Sequence, residues 1–183
     1  MRYKSIFFMA ILSCLALFTS CVDTKLTKDL YDQWWPVHAS GSFQSEYFTA
    51  KWNGALDKRG GIEVTYQSTN NPNLNYKEFI FYPAIEFSKS KGYCTFDIKT
   101  LDITQSKYIK FQVKDGKLYL EKTNDAGRGT GEFGEGKDIS FLSENEVKIG
   151  DVTYQRYSYY REQNPLHSTD LGPGDRIPVM ICL

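Results

Sequence analysis

The amino-acid sequence predicts an all-β protein, and three features of the chain carry that prediction. Between residues 34 and 160 apolar side chains recur at every second position, which is typical of strands with one buried face. No 3.6-residue helical period occurs in that region. Turn sequences such as Gly60-Gly61, Asp115-Gly116 and Gly150-Asp151 lie mostly 10 to 25 residues apart. This spacing favours a single antiparallel barrel of about 8 to 10 strands, with an open β-sandwich as the alternative.

Composition places the chain among globular proteins of one domain. It has 183 residues, of which 41% are hydrophobic and 24% charged, so a disordered, collagen-like or coiled-coil protein is excluded. Lysine and arginine number 22, and aspartate and glutamate also number 22. Because there is no basic surplus to neutralise a phosphate backbone, the sequence predicts no nucleic-acid partner.

The first segment has the pattern of a signal peptide over residues 1–20. Arg2 and Lys4 provide a positive start, and residues 6 to 18 form an almost unbroken apolar run. A spanning helix needs about 20 apolar residues, so this run is too short to cross a bilayer comfortably. Its removal would leave 20 basic and 22 acidic residues in the mature chain.

The end of this segment, Leu17-Phe18-Thr19-Ser20-Cys21, resembles the lipobox of bacterial lipoproteins, in which the cysteine is acylated and becomes the first residue. The resemblance implies a palmitate-type anchor on Cys21 and attachment to the bacterial cell envelope, at the outer membrane on a face that the sequence leaves open. A competing site at Cys14 would divide the apolar run. The alternative is an ordinary secreted protein in which Cys21 is incidental.

The remaining elements follow in order. Residues 21–33 are predicted to form a lipidated tether with a short helix from Thr24 to Gln33, residues 34–160 the β domain, and residues 161–183 a tail rich in proline and glycine. The predicted strands are marked by the alternating groups Trp35/Val37/Ala39, Phe48/Ala50/Trp52, Ile62/Val64/Tyr66, Phe79/Phe81, Ile85/Phe87, Phe96/Ile98, Ile109/Phe111/Val113, Leu118/Leu120, Ile139/Phe141, Val147/Ile149 and Val152/Tyr154.

Two hairpins can be given a register from their turns. A two-residue turn at Asp115-Gly116 places Val113 opposite Leu118. A turn at Gly150-Asp151 places Val147 opposite Tyr154, and continuing that strand puts Arg156 on its apolar face. An arginine on a buried face needs a partner, because burying an uncompensated guanidinium is costly.

A tryptophan-bearing first strand after a short helix, a Lys-Asp-Gly-Lys-Leu-Tyr-Leu hairpin and a closing Thr-Tyr-Gln-Arg-Tyr strand together resemble the lipocalin-like lipoproteins of bacteria over about residues 30 to 160. In lipocalins a tryptophan of the first strand closes the barrel floor, and an arginine of the last strand packs across it. The resemblance implies that Trp35 and Arg156 form this pair. Trp34 and Trp35 are adjacent and point to opposite faces, so one of the two is expected outside the core.

The same resemblance implies a cup that holds or carries one small hydrophobic molecule. The residues expected to line it are Phe81, Phe87, Phe96, Phe111, Leu118, Leu120, Phe141 and Tyr154. If these side chains instead fill the interior, the chain is a non-enzymatic accessory or interaction subunit of an envelope complex. Its partner surface would then use exposed aromatic residues, expected at Trp34, Tyr157, Tyr159 and Tyr160.

The sequence predicts no catalytic centre, metal or cofactor. Its two histidines, His38 and His167, have no neighbouring aspartate or cysteine cluster with which to form a catalytic triad or a zinc site. Residues 129–134 match GxGxxG, yet the segment does not directly follow a strand and strand-like alternation comes after it. We interpret it as a hairpin loop.

Two cysteines remain after removal of the leader and acylation of Cys21. Cys94 and Cys182 would lie in a compartment where disulfides persist, so a bridge between them is one prediction. A simple buried thiol at Cys94 is the alternative.

Overall fold

The computed structural model describes residues 23–98 and 106–165 of the chain. The signal peptide, Cys21, Cys182 and residues 166–183 of the predicted tail therefore lie outside the described residues. Within them the protein is all-β and mostly antiparallel, as predicted, with twelve strands in one sheet. The elements are α1 (Thr24–Leu30), β1 (Asp32–Gln44), β2 (Phe48–Ala55), β3 (Gly61–Ser68), β4 (Asn75–Phe81), β5 (Ala84–Ser88), β6 (Gly92–Phe96), β7 (Phe111–Lys114), β8 (Lys117–Thr123), β9 (Gly129–Phe133), β10 (Lys137–Ser143), β11 (Glu146–Ile149), β12 (Val152–Arg156) and α2 (Tyr157–Gln163).

Helix α1 is shorter than predicted. Asp23 caps it, its carboxylate accepting a hydrogen bond of 3.0 Å from the Leu26 amide. The helix ends at Leu30 rather than Gln33, because Gln33 already pairs with Glu86 of β5. Within the described residues neither helix is long and apolar enough to cross a bilayer.

Strand β1 organises the sheet because its 13 residues contact three other strands. Its first residues pair with β5, its middle pairs with β12, and its last seven residues pair with β2. A register shift between Pro36 and His38 separates the first part from the rest. Proline lacks the amide hydrogen that a regular ladder needs, so an irregularity at this position is expected.

Strand pairing runs in the order β4-β3-β2-β1-β12-β11-β10-β8-β7, with β5 and β6 extending from β1 and β9 from β8. The named strands do not close this sheet. Strand β6 meets the residues before β7 at a single bridge, where Tyr93 and Ile109 exchange two backbone hydrogen bonds of 2.9 Å.

Both predicted hairpin registers are confirmed. Val113 pairs with Leu118 across the Asp115-Gly116 turn, whose two residues have φ angles of 52° and 70°. These positive angles are those of a type I′ turn. Val147 pairs with Tyr154 across the second turn.

The two faces of the sheet are both covered near β1. On one face the main core contains Trp34, Phe87, Leu118, Val147 and Tyr154, with Leu30 of α1 packed among them. On the other face Trp35 packs with Ala84, Phe96, and Tyr157 of α2. The expectation that one tryptophan lies outside the core is wrong, since Trp34 is 0% and Trp35 is 5% exposed.

Two elements differ from the sequence prediction. Residues 157–163 form α2 instead of continuing the last strand into a tail, and Tyr157 and Tyr160 stack on Trp35 with ring centroids 5.4 and 5.2 Å away. Strand β9, expected as a loop, pairs with β8, and β10 rather than a helix follows it. The GxGxxG segment thus lacks the helix of a dinucleotide site.

Candidate ligand cavity

A cavity of about 650 Å³ lies beside the main core, within the size range of small-molecule sites. Its apolar walls come from Ile85, Leu118, Leu120, Ile149 and Val152, and its aromatic residues are Trp52, Tyr82, Tyr93 and Tyr154. The polar lining residues are Ser40, Ser42, Lys137 and Asp151. The arrangement can accommodate a small molecule that has both apolar and polar atoms.

The α1 end of the main core is closed by packing. The Trp34 indole nitrogen donates a hydrogen bond of 2.8 Å to the Leu30 carbonyl, which ties the first strand to α1. Phe141 meets the Trp34 ring edge-on with centroids 6.2 Å apart. Trp34 is 0% exposed and does not line this cavity, so the cavity lies beside a packed end of the core, which we call the floor.

Arg156 completes this floor, and its partner differs from the predicted one. The guanidinium carbon lies 4.7 Å from the Trp34 ring centroid, because β1 and β12 place Trp34 directly opposite Arg156. The predicted contact with Trp35 is wrong, since that ring points to the opposite face. Arg156 also donates to Asp32 at 2.6 Å and to the Asp29 carbonyl at 3.1 Å. These acceptors supply the compensation that an inward guanidinium requires.

One wall of the cavity depends on a glycine. A side chain at Gly41 would collide with the indole ring of Trp52, which covers this glycine from the neighbouring strand β2. The Trp52 indole nitrogen donates a 2.9 Å hydrogen bond to the Tyr82 hydroxyl. Trp52 and Tyr82 are therefore held together where both line the cavity.

Tyr93 and Tyr154 are two of the aromatic residues that line the cavity. Burial raises the pKa of Tyr93 to about 12. Burial also raises the pKa of Tyr154 above its ordinary value of 10.0, with smaller contributions from the nearby phenols of Tyr93 and Tyr82. Both groups stay protonated at neutral pH and can donate hydrogen bonds.

Of the eight predicted cup residues, three line the cavity, three lie in the main core and two lie elsewhere. Leu118, Leu120 and Tyr154 line the cavity. Phe87, Phe111 and Phe141 belong to the packed main core and do not line it.

The predictions that Phe81 and Phe96 line the cup are wrong. Phe81 is 51% exposed because β4 lies at the edge of the sheet, where Phe81 stacks on Phe79. Phe96 is buried on the face of the sheet that α2 covers, with Trp35. The alternation of apolar residues around Phe96 correctly indicates a buried face of the strand. When both faces of a sheet are covered, however, the sequence of a strand does not show which face lies toward the cavity.

The aromatic residues expected at a partner surface are also placed differently. Trp34 and Tyr157 are buried, and Tyr159 and Tyr160 are half-buried. Among the described residues, the large hydrophobic side chains that are exposed are instead Phe43, Tyr47, Leu74, Tyr76, Phe79, Phe81 and Leu142.

Sequence reasoning missed six of the apolar and aromatic lining residues, which are Trp52, Tyr82, Ile85, Tyr93, Ile149 and Val152. The signal for Tyr93 was available, because β5 and β6 form a hairpin in which Phe87 pairs with Tyr93. Residues directly opposite in an antiparallel pair share a face, so Tyr93 must lie on the side of Phe87.

Cys94 is a buried free thiol among the described residues, and burial raises its pKa. Its predicted partner, Cys182, lies outside those residues, so the disulfide stays a prediction. In residues 23–98 and 106–165 no group of three or more histidine, cysteine, aspartate or glutamate side chains could hold a metal ion.

Comparisons of the chain with protein-family models, with curated proteins and with solved structures found no match.

Proposed function

We propose that this protein is a lipid-anchored, lipocalin-like protein of the bacterial cell envelope that binds or carries a small hydrophobic molecule. The observation that carries the proposal is the cavity of about 650 Å³, whose lining includes nine aliphatic or aromatic residues. One end of the core beneath it is packed by α1 and Trp34. A cup of this kind, filled at one end and accessible elsewhere, is suited to one small ligand.

The proposal includes a barrel, and the strand order supports it. Starting from β1, pairing continues through β12, β11, β10, β8 and β7 in one direction and through β5 and β6 in the other. The Tyr93–Ile109 bridge joins these two ends just before β7. We infer that these eight strands form a ring around the main core and that β2, β3 and β4 extend the sheet outside the ring. Trp52 of β2 and Tyr82 then add one wall of the cavity at the edge of this ring.

The floor supports the lipocalin-like part of the proposal. A tryptophan of the first strand and an arginine of the last strand pack together at the closed end, as the resemblance implies, although the tryptophan is Trp34. The anchor part rests on the lipobox-like sequence that ends at Cys21.

The cavity is tested by filling it. Leu120→Trp adds bulk to a half-buried lining residue, and Leu142→Trp adds the same bulk at a residue that is 56% exposed and outside the cavity. The full-length protein and both variants are purified, and co-purified small molecules are identified by mass spectrometry. We expect wild type and Leu142→Trp to carry the same apolar molecule and Leu120→Trp to lose at least about tenfold of it. Equal loading of all three proteins would contradict ligand binding in this cavity.

The anchor is tested by replacing the cysteine. Cys21→Ala removes the thiol that acylation needs, while Cys14→Ser serves as the matched control in the same leader. We expect Cys21→Ala to abolish labelling by a palmitate analogue and partitioning into the detergent phase, and Cys14→Ser to preserve both. Continued labelling of the Cys21→Ala protein would remove the anchor from the proposal.

The alternative is a filled barrel that serves as an accessory subunit. The cavity favours ligand binding over this alternative, since its volume is comparable to that of small-molecule sites. The absence of any co-purified or exchangeable apolar molecule in the cavity experiment would reverse that preference.

A further inference from the structure

Strands β1 to β4 carry four aromatic rings that lie against one another in a row. The Tyr66 and Tyr76 rings stack in parallel with centroids 4.7 Å apart, and Phe43 meets Tyr66 edge-on at 5.4 Å. Phe48 meets Tyr76 edge-on at 5.1 Å. We call Phe43, Phe48, Tyr66 and Tyr76 the aromatic row. Because each ring packs against another ring, the row is a preformed surface.

Strand register places the aromatic row on the cavity side of the sheet. Gly41 pairs with Trp52, which lines the cavity, and Phe43 points to the same face because it lies two residues after Gly41. Phe43 in turn pairs with Ala50, which packs with Tyr66. The aromatic row therefore continues the wall that Trp52 forms at the edge of the cavity.

The aromatic row is partly open to solvent. Phe43 and Tyr76 are 42% and 44% exposed, so no layer of the described residues covers them. The opposite face of β1 to β3 beside the row is polar, and its residues are Ser42, Gln44, Thr49, Lys51, Thr65 and Gln67. A sheet with one polar and one apolar face normally packs its apolar face against another group. An open aromatic surface of this kind indicates a binding site.

The size and charge of this face indicate the part of a ligand that fits it. Neighbouring strands lie about 4.8 Å apart, so the face from β1 to β4 is about 14 Å wide. Of the side chains that the fully described strands β2, β3 and β4 turn to this face, only Glu78 on the edge strand carries a charge. A ligand confined to the cavity leaves this face in water, whereas a long apolar chain that continues past Trp52 removes part of it from water.

We infer that the ligand is a lipid with one long chain, that part of this lipid occupies the cavity, and that its chain continues past Trp52 onto the aromatic row. The inference rests on the proposed function and specifies the chemical class of its ligand. Trp52 assigns the row to the ligand, because its ring lines the cavity and also packs against the buried cluster that contains Tyr66. The cavity and the aromatic row thus form one continuous surface.

Two probes with the same head group and different chains test this inference. They are monooctanoylglycerol, whose short chain the cavity alone can hold, and monooleoylglycerol, whose chain is much longer. Their affinities are measured at monomeric probe concentrations for the purified full-length protein and for Phe43→Ser and Tyr76→Ser. Phe79→Ser is the matched control, because Phe79 lies on the same strand as Tyr76, is also 44% exposed and points to the opposite face.

We expect the short probe to bind wild type and all three variants equally, because the aromatic row lies outside the cavity. The long probe should bind wild type more tightly than the short probe does. Its affinity should fall by about three- to tenfold in Phe43→Ser and in Tyr76→Ser and stay unchanged in Phe79→Ser.

A nitroxide at the end of the long chain locates the chain in the wild-type protein without any substitution. We expect this label to broaden the NMR amide signals of Tyr66 and Tyr76. The same label at the end of the octanoyl chain should instead broaden the signals of cavity residues such as Leu118 and Ile149.

Three results would overturn the inference. Equal affinity of the two probes for wild type, with broadening confined to cavity residues, would place the whole ligand in the cavity and leave the proposed function standing. A changed oligomeric state of Phe43→Ser or Tyr76→Ser in the ultracentrifuge, with unchanged affinity for the long probe, would make the row a contact between copies of the chain. Failure of both probes to bind wild type would also end the inference, and the co-purification experiment with Leu120→Trp would then decide the proposed function separately.

Discussion

Arg156 shows how one side chain ties together several parts of the floor. Its guanidinium lies over the Trp34 ring, forms an ion pair with Asp32 and donates to backbone carbonyls of Asp29 and Glu144. The planar group can stack and donate in several directions at once, which an ammonium cannot. Arg156 thereby connects α1, β1, β12 and the residues before β11.

Replacement of Arg156 should destabilise the protein beyond the effect of a surface substitution. We expect Arg156→Ala to lower the free energy of unfolding by about 2 to 3 kcal/mol, because it removes a cation–π contact and the hydrogen bonds to the Asp32 carboxylate and to two backbone carbonyls. Arg156→Lys should recover only part of this loss. Chemical denaturation measures both changes.

A double-mutant cycle identifies the ring that Arg156 contacts. Coupling between Arg156→Ala and Trp34→Phe should exceed about 0.5 kcal/mol, whereas Arg156→Ala and Trp35→Phe should be nearly additive. The two tryptophans are matched in sequence position and burial, so they control for each other. Coupling to Trp35 and none to Trp34 would contradict the structure of the floor.

At the scale of elements, Glu121 joins the β8–β9 hairpin to the segment before β7. Its side chain is 7% exposed, and its carboxylate accepts hydrogen bonds from the Lys110 amide at 3.1 Å and the Gly131 amide at 2.8 Å. The hydrogen bond from Lys110, then that from Gly131, lowers the pKa of Glu121 below its ordinary value of 4.5.

This shift predicts a pH dependence of stability. A depressed folded-state pKa means that the contribution of Glu121 is fully present above the unfolded-state value and is lost as pH falls through the folded-state value. We expect the wild-type midpoint of urea denaturation to fall below about pH 4.5 more steeply than that of Glu121→Gln. Glu132→Gln, at an exposed glutamate of the same hairpin, is the control. Parallel curves for wild type and Glu121→Gln would exclude this role.

Some elements of the fold are determined by residues that lie close together in the sequence. Period-two alternation and turn residues specify the β7–β8 and β11–β12 hairpins, because strand faces and turn angles fix a register over a few residues. The sequence analysis does not predict helix α2, because the aromatic residues of this helix continue the apolar pattern of the strand before it. The three-residue spacing of Tyr157 and Tyr160 was a weak signal for one helical face.

The candidate site could be predicted only in part, because local sequence patterns specify only contacts between residues that are close in sequence. Leu118 and Tyr154 followed from hairpins whose partners are close in sequence. The cavity also needs Trp52 and Tyr82, which meet across β2 and the residue after β4. Such long-range contacts depend on how the whole sheet curves, which local alternation does not specify.

At the scale of the whole molecule, the proposed barrel would be closed at one narrow seam, between β6 and the segment that leads into β7. Within the described residues, the Tyr93–Ile109 bridge is the only strand pairing between β6 and the segment that leads into β7. Gly92, the first residue of β6, has a φ angle of 108°, and a side chain there would collide with the Ile109 carbonyl. The seam therefore requires a glycine for backbone conformation and for space.

Gly92→Ala should open this seam. Gly116→Ala is a matched control, because Gly116 also has a positive φ angle, of 70°, but has no atom within 4 Å of an added side chain. The control should lose about 1 to 2 kcal/mol from backbone strain alone. Gly92→Ala should lose more, and its Tyr93 and Ile109 amides should exchange hydrogen faster than in the control, as measured by NMR. If the seam encloses the cavity, Gly92→Ala should also bind the apolar ligand more weakly than Gly116→Ala does. Equal stability, exchange and affinity in the two variants would show that the bridge does not close a barrel around the cavity.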